Sequence, residues 1–187
     1  MRYDKYEKRG ALHWEEYENK TYYKDLVDDS LIPFEGIKSG TLLDVGCGDA
    51  LTSYKLSKSG LIVTGIDIEH KGIELAKEKC GNSVELINIS LGDFLKQGRF
   101  FDYLYCLDVI EHLENHQELV KIMSFINKFG VIITDDGEAR AKKKDRYHVH
   151  EFSKQEFRKL FSEFRVEEIP IKNKYYFGYK VYATKNI

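Results

Sequence analysis

The sequence predicts an α/β fold, an open and mostly parallel sheet with helices on both faces. Three observations predict it. Short apolar runs alternate with helical periodicities from residue 40 to residue 164, and repeated strand–helix alternation requires parallel strands joined by crossover helices. The first apolar run leads into an acid and two glycines one residue apart, "TLLDVGCGDALTS" at 41–53, as a buried strand does when it turns sharply toward a helix. The last two strand-like segments have no helix between them, so they form a hairpin and make one edge antiparallel.

The elements follow in order. "GTLLDVG" (40–46) is a short apolar strand, and "ALTSYKLSKSG" (50–60) is helical, closed by Gly60. "LIVTGIDI" (61–68) is a β-branched strand, "KGIELAKEKCG" (71–81) a helix with a glycine stop, and "VELINIS" (84–90) a strand. "FDYLYCLDVI" (101–110) is the next strand. "NHQELVKIMSFINKFG" (115–130) reads as a helix with Leu119, Ile122, Met123 and Ile126 on one face, before the strand "GVIITDD" (130–136). "SKQEFRKLFSEF" (153–164) is a helix with Ser153 as N-cap and Glu156 completing a capping box. "RVEEIPI" and "YYFGYKVYATKN" are the closing strands, joined by a lysine-containing turn. No repeat or low-complexity linker divides the chain, so the expectation is one domain: a helical cap over residues 1–39 and a core over 40–187.

Composition narrows the function classes. Of 187 residues, 42% are hydrophobic and 32% charged, which is the profile of a globular chain with a sizeable core and not of a disordered one. A formal charge of −2 gives no global pull toward nucleic acid or anionic membrane. Three cysteines, Cys47, Cys80 and Cys106, show no framework spacing, so a reduced, cytoplasmic setting is expected. "MRYDKYEKRG" lacks the apolar core of a signal peptide, and no apolar run is long enough for a membrane span.

In an open sheet of this type, ligands sit outside the carboxyl ends of the strands. Three acids fall there: Asp44 in the first strand's end, Asp67 ending the second in "VTGIDIE", and Asp93 after the third in "NISLGDF". Asp67 follows the glycine turn by the ~20 residues expected of an acid that accepts ribose hydroxyls. A dinucleotide site wants a third glycine where Leu51 stands, and Asp44 and Asp49 beside the turn would repel a pyrophosphate and suit a cation. A Walker A loop is excluded, because no Gly-Lys-Ser/Thr follows.

A ligand with a ribose, an adenine and a cationic end fits these acids. "LLDVGCGDA", "VTGIDIE", "LGDF", "FDYLYCLDVIEHL" and "GVIITDD", in this order and spacing, resemble the class I S-adenosylmethionine-dependent methyltransferases. The resemblance covers nearly the whole chain, from about Leu42 to the end. It implies a single Rossmann-like domain with a seven-stranded, mostly parallel sheet and an antiparallel last strand. It implies S-adenosyl-L-methionine as cofactor and S-adenosyl-L-homocysteine as product. On the resemblance, Gly46, Cys47 and Gly48 let backbone approach the methionine part, and Asp44 holds its ammonium through water. Asp67 holds the ribose, Ile68 packs on the adenine, Asp93 accepts the adenine amino group beside Phe94, and Leu107 and Asp108 face the methionine side. Plain core packing is the competing account of Ile68, Phe94 and Leu107.

Methyl transfer needs orientation and, for an oxygen nucleophile, a base. The base candidates are His112 in "DVIEHL" and the pair His148 and His150 in "RYHVHEF", of which His112 and His150 are taken as catalytic; the alternative is a hydrogen-bonded structural role. Small-RNA 3′-terminal ribose methyltransferases and some quinone-pathway O-methyltransferases use a carboxylate, Glu-His and a distant His to bind a divalent metal. The matching positions are Asp108, Glu111, His112 and His150. The match is partial, with a shorter Asp108 and with Ser153 where an aromatic residue is expected, so no metal is expected and activity should survive chelation.

The acceptor is expected to be a small molecule or metabolite with an oxygen or nitrogen nucleophile; a nucleic acid stays open. The N-terminal "HWEEYENKTYYKDLV", with Trp14, Tyr17, Tyr22 and Tyr23, either borders the acceptor pocket or packs as an amphipathic helix. "EARAKKKDRYHVH" (138–150) is a local basic patch, Arg140, Lys142, Lys143, Lys144 and Arg146; it points to an anionic acceptor, with a solvated loop as the alternative. A non-catalytic S-adenosylmethionine-binding module is the alternative outside the enzyme class.

Overall fold

The computed structural model of the chain describes residues 4–139 and 147–185. Three N-terminal helices, α1 (Lys5–Arg9), α2 (Leu12–Asn19) and α3 (Thr21–Leu31), precede the sheet. Then come β1 (Thr41–Val45), α4 (Leu51–Lys58), β2 (Ile62–Asp67), α5 (His70–Cys80), β3 (Glu85–Asn88), α6 (Leu91–Leu95) and β4 (Phe101–Leu107). The chain continues through α7 (Gln117–Ile122), β5 (Ile126–Asp135), α8 (Lys154–Leu160), β6 (Phe164–Ile169) and β7 (Tyr176–Lys185).

The seven strands form one sheet in the order β3-β2-β1-β4-β5-β7-β6. β1 to β5 pair in parallel, whereas β7 runs antiparallel to both β5 and β6. This is the expected architecture, including the reversed strand from the closing hairpin. Strand order reverses direction between β1 and β4, which opens a crevice at their carboxyl ends.

Side-chain alternation builds the two layers beside the sheet. On one face Leu42, Val63, Tyr103, Tyr105, Val131 and Ile133 pack with Leu26 of α3, Leu56 of α4 and Ala76 of α5. On the other, Leu43, Val45, Leu104, Cys106 and Ile132 pack with Phe94 of α6, Leu119 and Ile122 of α7, and Phe157 of α8. Polar links fasten α3 to the first face: Ser30 Oγ and the Tyr105 hydroxyl lie 2.6 Å apart, and buried Asp29 accepts from the Lys172 amide at 2.9 Å. The Ser153–Glu156 capping box forms at the start of α8 as expected.

Two element expectations are corrected. The helix expected over 115–130 stops at Ile122; a 3₁₀ turn, Met123–Phe125, follows, and β5 begins at Ile126. Ile126 continues the helical apolar stripe by coincidence, since its burial comes from pairing opposite Phe101 of β4. The helix expected over 153–164 likewise ends at Leu160, and β6 starts at Phe164. A short helix not expected from the sequence, α6, forms where Ser90 accepts the amide of Asp93 at 3.1 Å. Among the described residues no helix is long and apolar enough to cross a membrane.

Candidate functional site

A cavity of about 480 Å³ opens at the crevice between β1 and β4. Its walls come from the ends of β1, β2 and β4, from the loops that follow them, and from the N-terminal helices. The sharp turn after β1 explains the glycines. Gly46 has φ +71°, and a Cβ there would lie 2.3 Å from Val109 Cγ2; Gly48 has φ +55°, and a Cβ there would lie 1.9 Å from the Tyr6 hydroxyl. Ala50 (φ +58°) and Asp108 (φ +60°) are non-glycine residues in the same left-handed region. Backbone strain of this kind clusters at functional sites.

Asp44 lies beneath this turn, 1% exposed, accepting hydrogen bonds from Ser53 Oγ at 2.5 Å and Thr52 Oγ1 at 3.2 Å, both on α4. Burial pushes its carboxyl up to about 7; the two hydroxyl donors oppose this, and the charge of Asp67 adds to it. A cationic ligand group in the cavity would relieve that cost. Asp67 accepts from the Gly48 amide at 2.8 Å and from the Glu69 amide at 2.7 Å. It therefore holds the glycine turn to the end of β2. Burial raises its carboxyl above the ordinary value against those two donors.

The N-terminal helices close one side. Asp49 is fully buried and accepts from the His13 amide at 2.9 Å; its other oxygen lies 3.1 Å from His13 Nδ1. Trp14 Nε1 donates to the Asp49 carbonyl at 2.9 Å, and Tyr23 stacks on the His13 ring at 5.7 Å. Tyr6, His13 and Tyr23 all line the cavity. Tyr147, on the segment before α8, lines it as well and donates to Asp4 at 2.5 Å, so chain from both sides meets across the opening.

Behind the far wall is an acidic and histidine-rich cluster. Ligating atoms of Asp108, Glu111 and Asp135 lie within 4.8 Å of one another, as do those of Glu111, His112 and His148. Asp108 Oδ1 and Glu111 Oε2 are buried without a hydrogen-bond partner. Burial first, then the charge of Asp108, holds the Glu111 carboxyl well above its usual range. Burial and a neighbouring negative charge disfavour the ionised form of Glu111 unless a cation lies beside it.

The expected site residues divide accordingly. Asp44, Gly46, Cys47, Asp67, Ile68, Leu107, Asp108 and His112 line the cavity. Gly48 does not; its amide is taken by Asp67, and Tyr6 occupies the approach a ligand was expected to make. Asp93 does not either. It is held at the start of α6 by Ser90 and ion-paired with Lys96 at 2.6 Å, because the N-cap turn aims its carboxylate at its own helix. Phe94 is 1% exposed in the core beside Phe101. His150 sits outside the cavity, 3.6 Å from Glu156, and His148 takes the place expected for it beside His112, ring centroids 4.9 Å apart. The basic residues Arg140, Lys142, Lys143, Lys144 and Arg146 lie outside the described residues. Sequence reasoning missed Tyr6, His13, Glu118 and Asp135, and it read Asp49 as a charge beside the turn without its histidine partner. His13 adjoins the flagged Trp14, and Asp135 ends an expected strand, so position at a strand end was the available signal for the latter.

Comparison with known proteins agrees with this geometry. Residues 43–133 match a family model described as a methyltransferase domain. The mitochondrial ubiquinone biosynthesis O-methyltransferase of Arabidopsis thaliana is 34% identical over 97 residues, 49% of this chain and 29% of that protein. The chain thus spans under a third of that relative's length. A crystal structure of magnesium protoporphyrin IX methyltransferase from Synechocystis PCC 6803, with bound S-adenosylhomocysteine, superposes with a TM-score of 0.71 at 18% identity, covering 97% of each chain. A small RNA methyltransferase superposes with a TM-score of 0.71 at 21% identity, covering 84% of this chain and 25% of that one. At such identities the superpositions establish the shared fold. The resemblance to class I methyltransferases read from the sequence is borne out.

Proposed function

We propose that this chain, with a methyltransferase domain across residues 43–133, transfers a methyl group from S-adenosylmethionine to an oxygen or nitrogen nucleophile of a small molecule. One observation carries the reading: the cavity at the strand-order switch point joins a left-handed glycine turn, an acid at the end of β2, and a buried acid beneath. Asp67 has lone pairs left for ribose hydroxyls beyond the two amides it accepts. Asp44 supplies the negative charge that a methionine ammonium needs. Ile68, 69% exposed at the cavity edge, offers an apolar surface to the adenine. Ser90 and Leu91, which line the cavity where Asp93 does not, border the same end. Gly46, Cys47, Leu107 and Asp108 form the methionine side.

The oxygen nucleophile is favoured by the ubiquinone-pathway O-methyltransferase relative. A nucleic-acid acceptor is the alternative suggested by the small RNA enzyme's fold. A reducing, cytoplasmic setting belongs to the proposal and is supported by three buried free cysteines. Incubating the protein with methyl-labelled S-adenosylmethionine and fractionated cell extract tests transfer and acceptor class together. Label appearing in a small-molecule fraction supports the reading; binding of the cofactor with no label transferred to any fraction would leave a binding module.

A second reading is favoured by the buried cluster beside the cavity. The unpartnered Asp108 Oδ1 and Glu111 Oε2, with Asp135 and His148 close by, fit a divalent cation with mixed oxygen and nitrogen ligands. Such an ion, next to Asp108 and His112 in the cavity wall, would lower the pKa of an acceptor hydroxyl. The residues holding it would be Glu111 with Asp108 and Asp135, or Glu111 with His112 and His148, and not His150.

A further inference from the structure

We propose that His13 is the general base that takes the acceptor's proton, set in place for that role by Asp49. The proposal rests on the methyl-transfer reading and adds a residue to it from outside the methyltransferase core. His13 lines the cavity that also contains Asp44, Gly46 and Asp67. Asp49 grips it twice, at the backbone amide (2.9 Å) and at Nδ1 (3.1 Å). With Asp49 accepting the Nδ1 proton, Nε2 presents a lone pair. No side chain or backbone group among the described residues is bonded to Nε2. A buried carboxylate that fixes a histidine's tautomer and steadies its protonated form is the arrangement a base requires.

The alternatives within the cavity are weaker. His112 Nδ1 is 3.0 Å from the Tyr147 carbonyl, and its ring packs edge-on against His148. His150 lies outside. In the proposed step the acceptor oxygen forms a bond to the cofactor's methyl carbon while its own O–H proton passes to His13 Nε2. The carbon–sulfur bond breaks, its electron pair stays on sulfur, and the sulfonium becomes the neutral thioether of S-adenosylhomocysteine. His13 ends protonated against Asp49, and charge is conserved.

The groups facing His13 set its titration. Burial is the largest influence and lowers its pKa; the charge and hydrogen bond of Asp49, then the charges of Asp108 and Glu16, together outweigh it, and His13 is raised above 6.5. Tyr6 and Tyr23 contact the ring, and Asp67 lies near enough to feel its charge. Since only neutral His13 is a base, the rate should climb with pH through a value above that of an ordinary histidine. Asp49→Asn should move that limb to lower pH, an effect a purely structural staple would not produce.

The test has two arms. Wild-type protein is treated with diethyl pyrocarbonate with and without S-adenosylhomocysteine, and carbethoxylated histidines are mapped by mass spectrometry. His13 should be modified in the free protein and protected by the ligand, whereas His70, 74% exposed on α5, should react in both. Then wild type, His13→Gln and Asp49→Asn are compared for transfer of labelled methyl to the acceptor fraction as a function of pH. His13→Gln should lower kcat about a hundredfold or more while retaining affinity for S-adenosylhomocysteine. An unprotected His13, or variants that keep the wild-type pH profile and rate, would overturn the base. Failure of the wild type itself to transfer label would instead overturn the methyl-transfer reading, and the base with it.

Discussion

The glycine-turn end of the cavity and the acidic cluster beside β4 and β5 use the same side chains to different effect. At the turn, each carboxylate is answered: buried Asp44 by two α4 hydroxyls, half-buried Asp67 by two backbone amides, buried Asp49 by a histidine. In the cluster, Asp108 and Glu111 each keep a buried oxygen without a partner. A satisfied network is rigid and ready for a ligand that adds bonds at its edge. An unsatisfied one is costly until something enters. The difference suggests a preformed nucleoside pocket next to a site whose state depends on protons or cations.

The largest effect expected from disturbing the turn is that of Gly48→Ala. The left-handed φ of +55° and the 1.9 Å approach of the Tyr6 hydroxyl both resist a side chain. We expect about 2–3 kcal/mol lower stability in urea unfolding, partly restored by adding Tyr6→Phe. If Gly48→Ala unfolds at the wild-type midpoint, the turn is not the rigid half of the comparison.

On the other side, Glu111→Gln is expected to stabilise the cation-free protein at pH 8. The sign follows from linkage: a carboxyl raised in the fold gives stability that is present at low pH and lost as pH climbs toward its folded value, and glutamine removes that dependence. The gain should be about 1–2 kcal/mol. Thermal melts with Mg²⁺, Mn²⁺ or Zn²⁺ then sharpen the contrast. A cation site predicts a rise for the wild type and none for Glu111→Gln; no rise in either leaves a protonated Glu111 with no ion beside it.

A smaller effect concerns Asp44. Its carboxyl at about 7 means that half its charge is missing near neutrality. Affinity for S-adenosylmethionine should therefore increase about tenfold or less as pH climbs through 7, and Asp44→Asn should bind weakly with no such slope. The check is calorimetry across pH 6 to 8, and a flat wild-type profile would remove the ammonium role.

Much of the fold was legible because parallel strands buried on both faces read as unbroken apolar runs, as in Leu42–Leu43 and Val131–Ile133. The α7–β5 boundary was not, since Ile126 satisfies a helix period and a strand position at once. At the site, Asp44, Gly46 and Asp67 were legible because strand end, acid and turn are contiguous in sequence. His13 and Asp49 are 36 residues apart, and Asp4 and Tyr147 are 143 apart; only the folded chain brings them together. Asp93 shows the converse, an acid in the right place along the chain whose helix start turns it away. His150 and His148 differ by two residues, and backbone bonds from Val149 and His150 to the Glu111 carbonyl, rather than any motif, decide which histidine faces inward.

The most direct measurement of the central claim is calorimetric binding of S-adenosylmethionine and of NAD to the wild type and to Asp67→Ala. The wild type should bind S-adenosylmethionine in the micromolar range (about 8 kcal/mol) and should not bind NAD. Asp67→Ala should lose about tenfold or more, since ribose hydroxyls lose their acceptor and the Gly48 amide loses its anchor. NAD binding as tightly as S-adenosylmethionine, or an Asp67→Ala variant with wild-type affinity, would contradict the assignment of the pocket to S-adenosylmethionine.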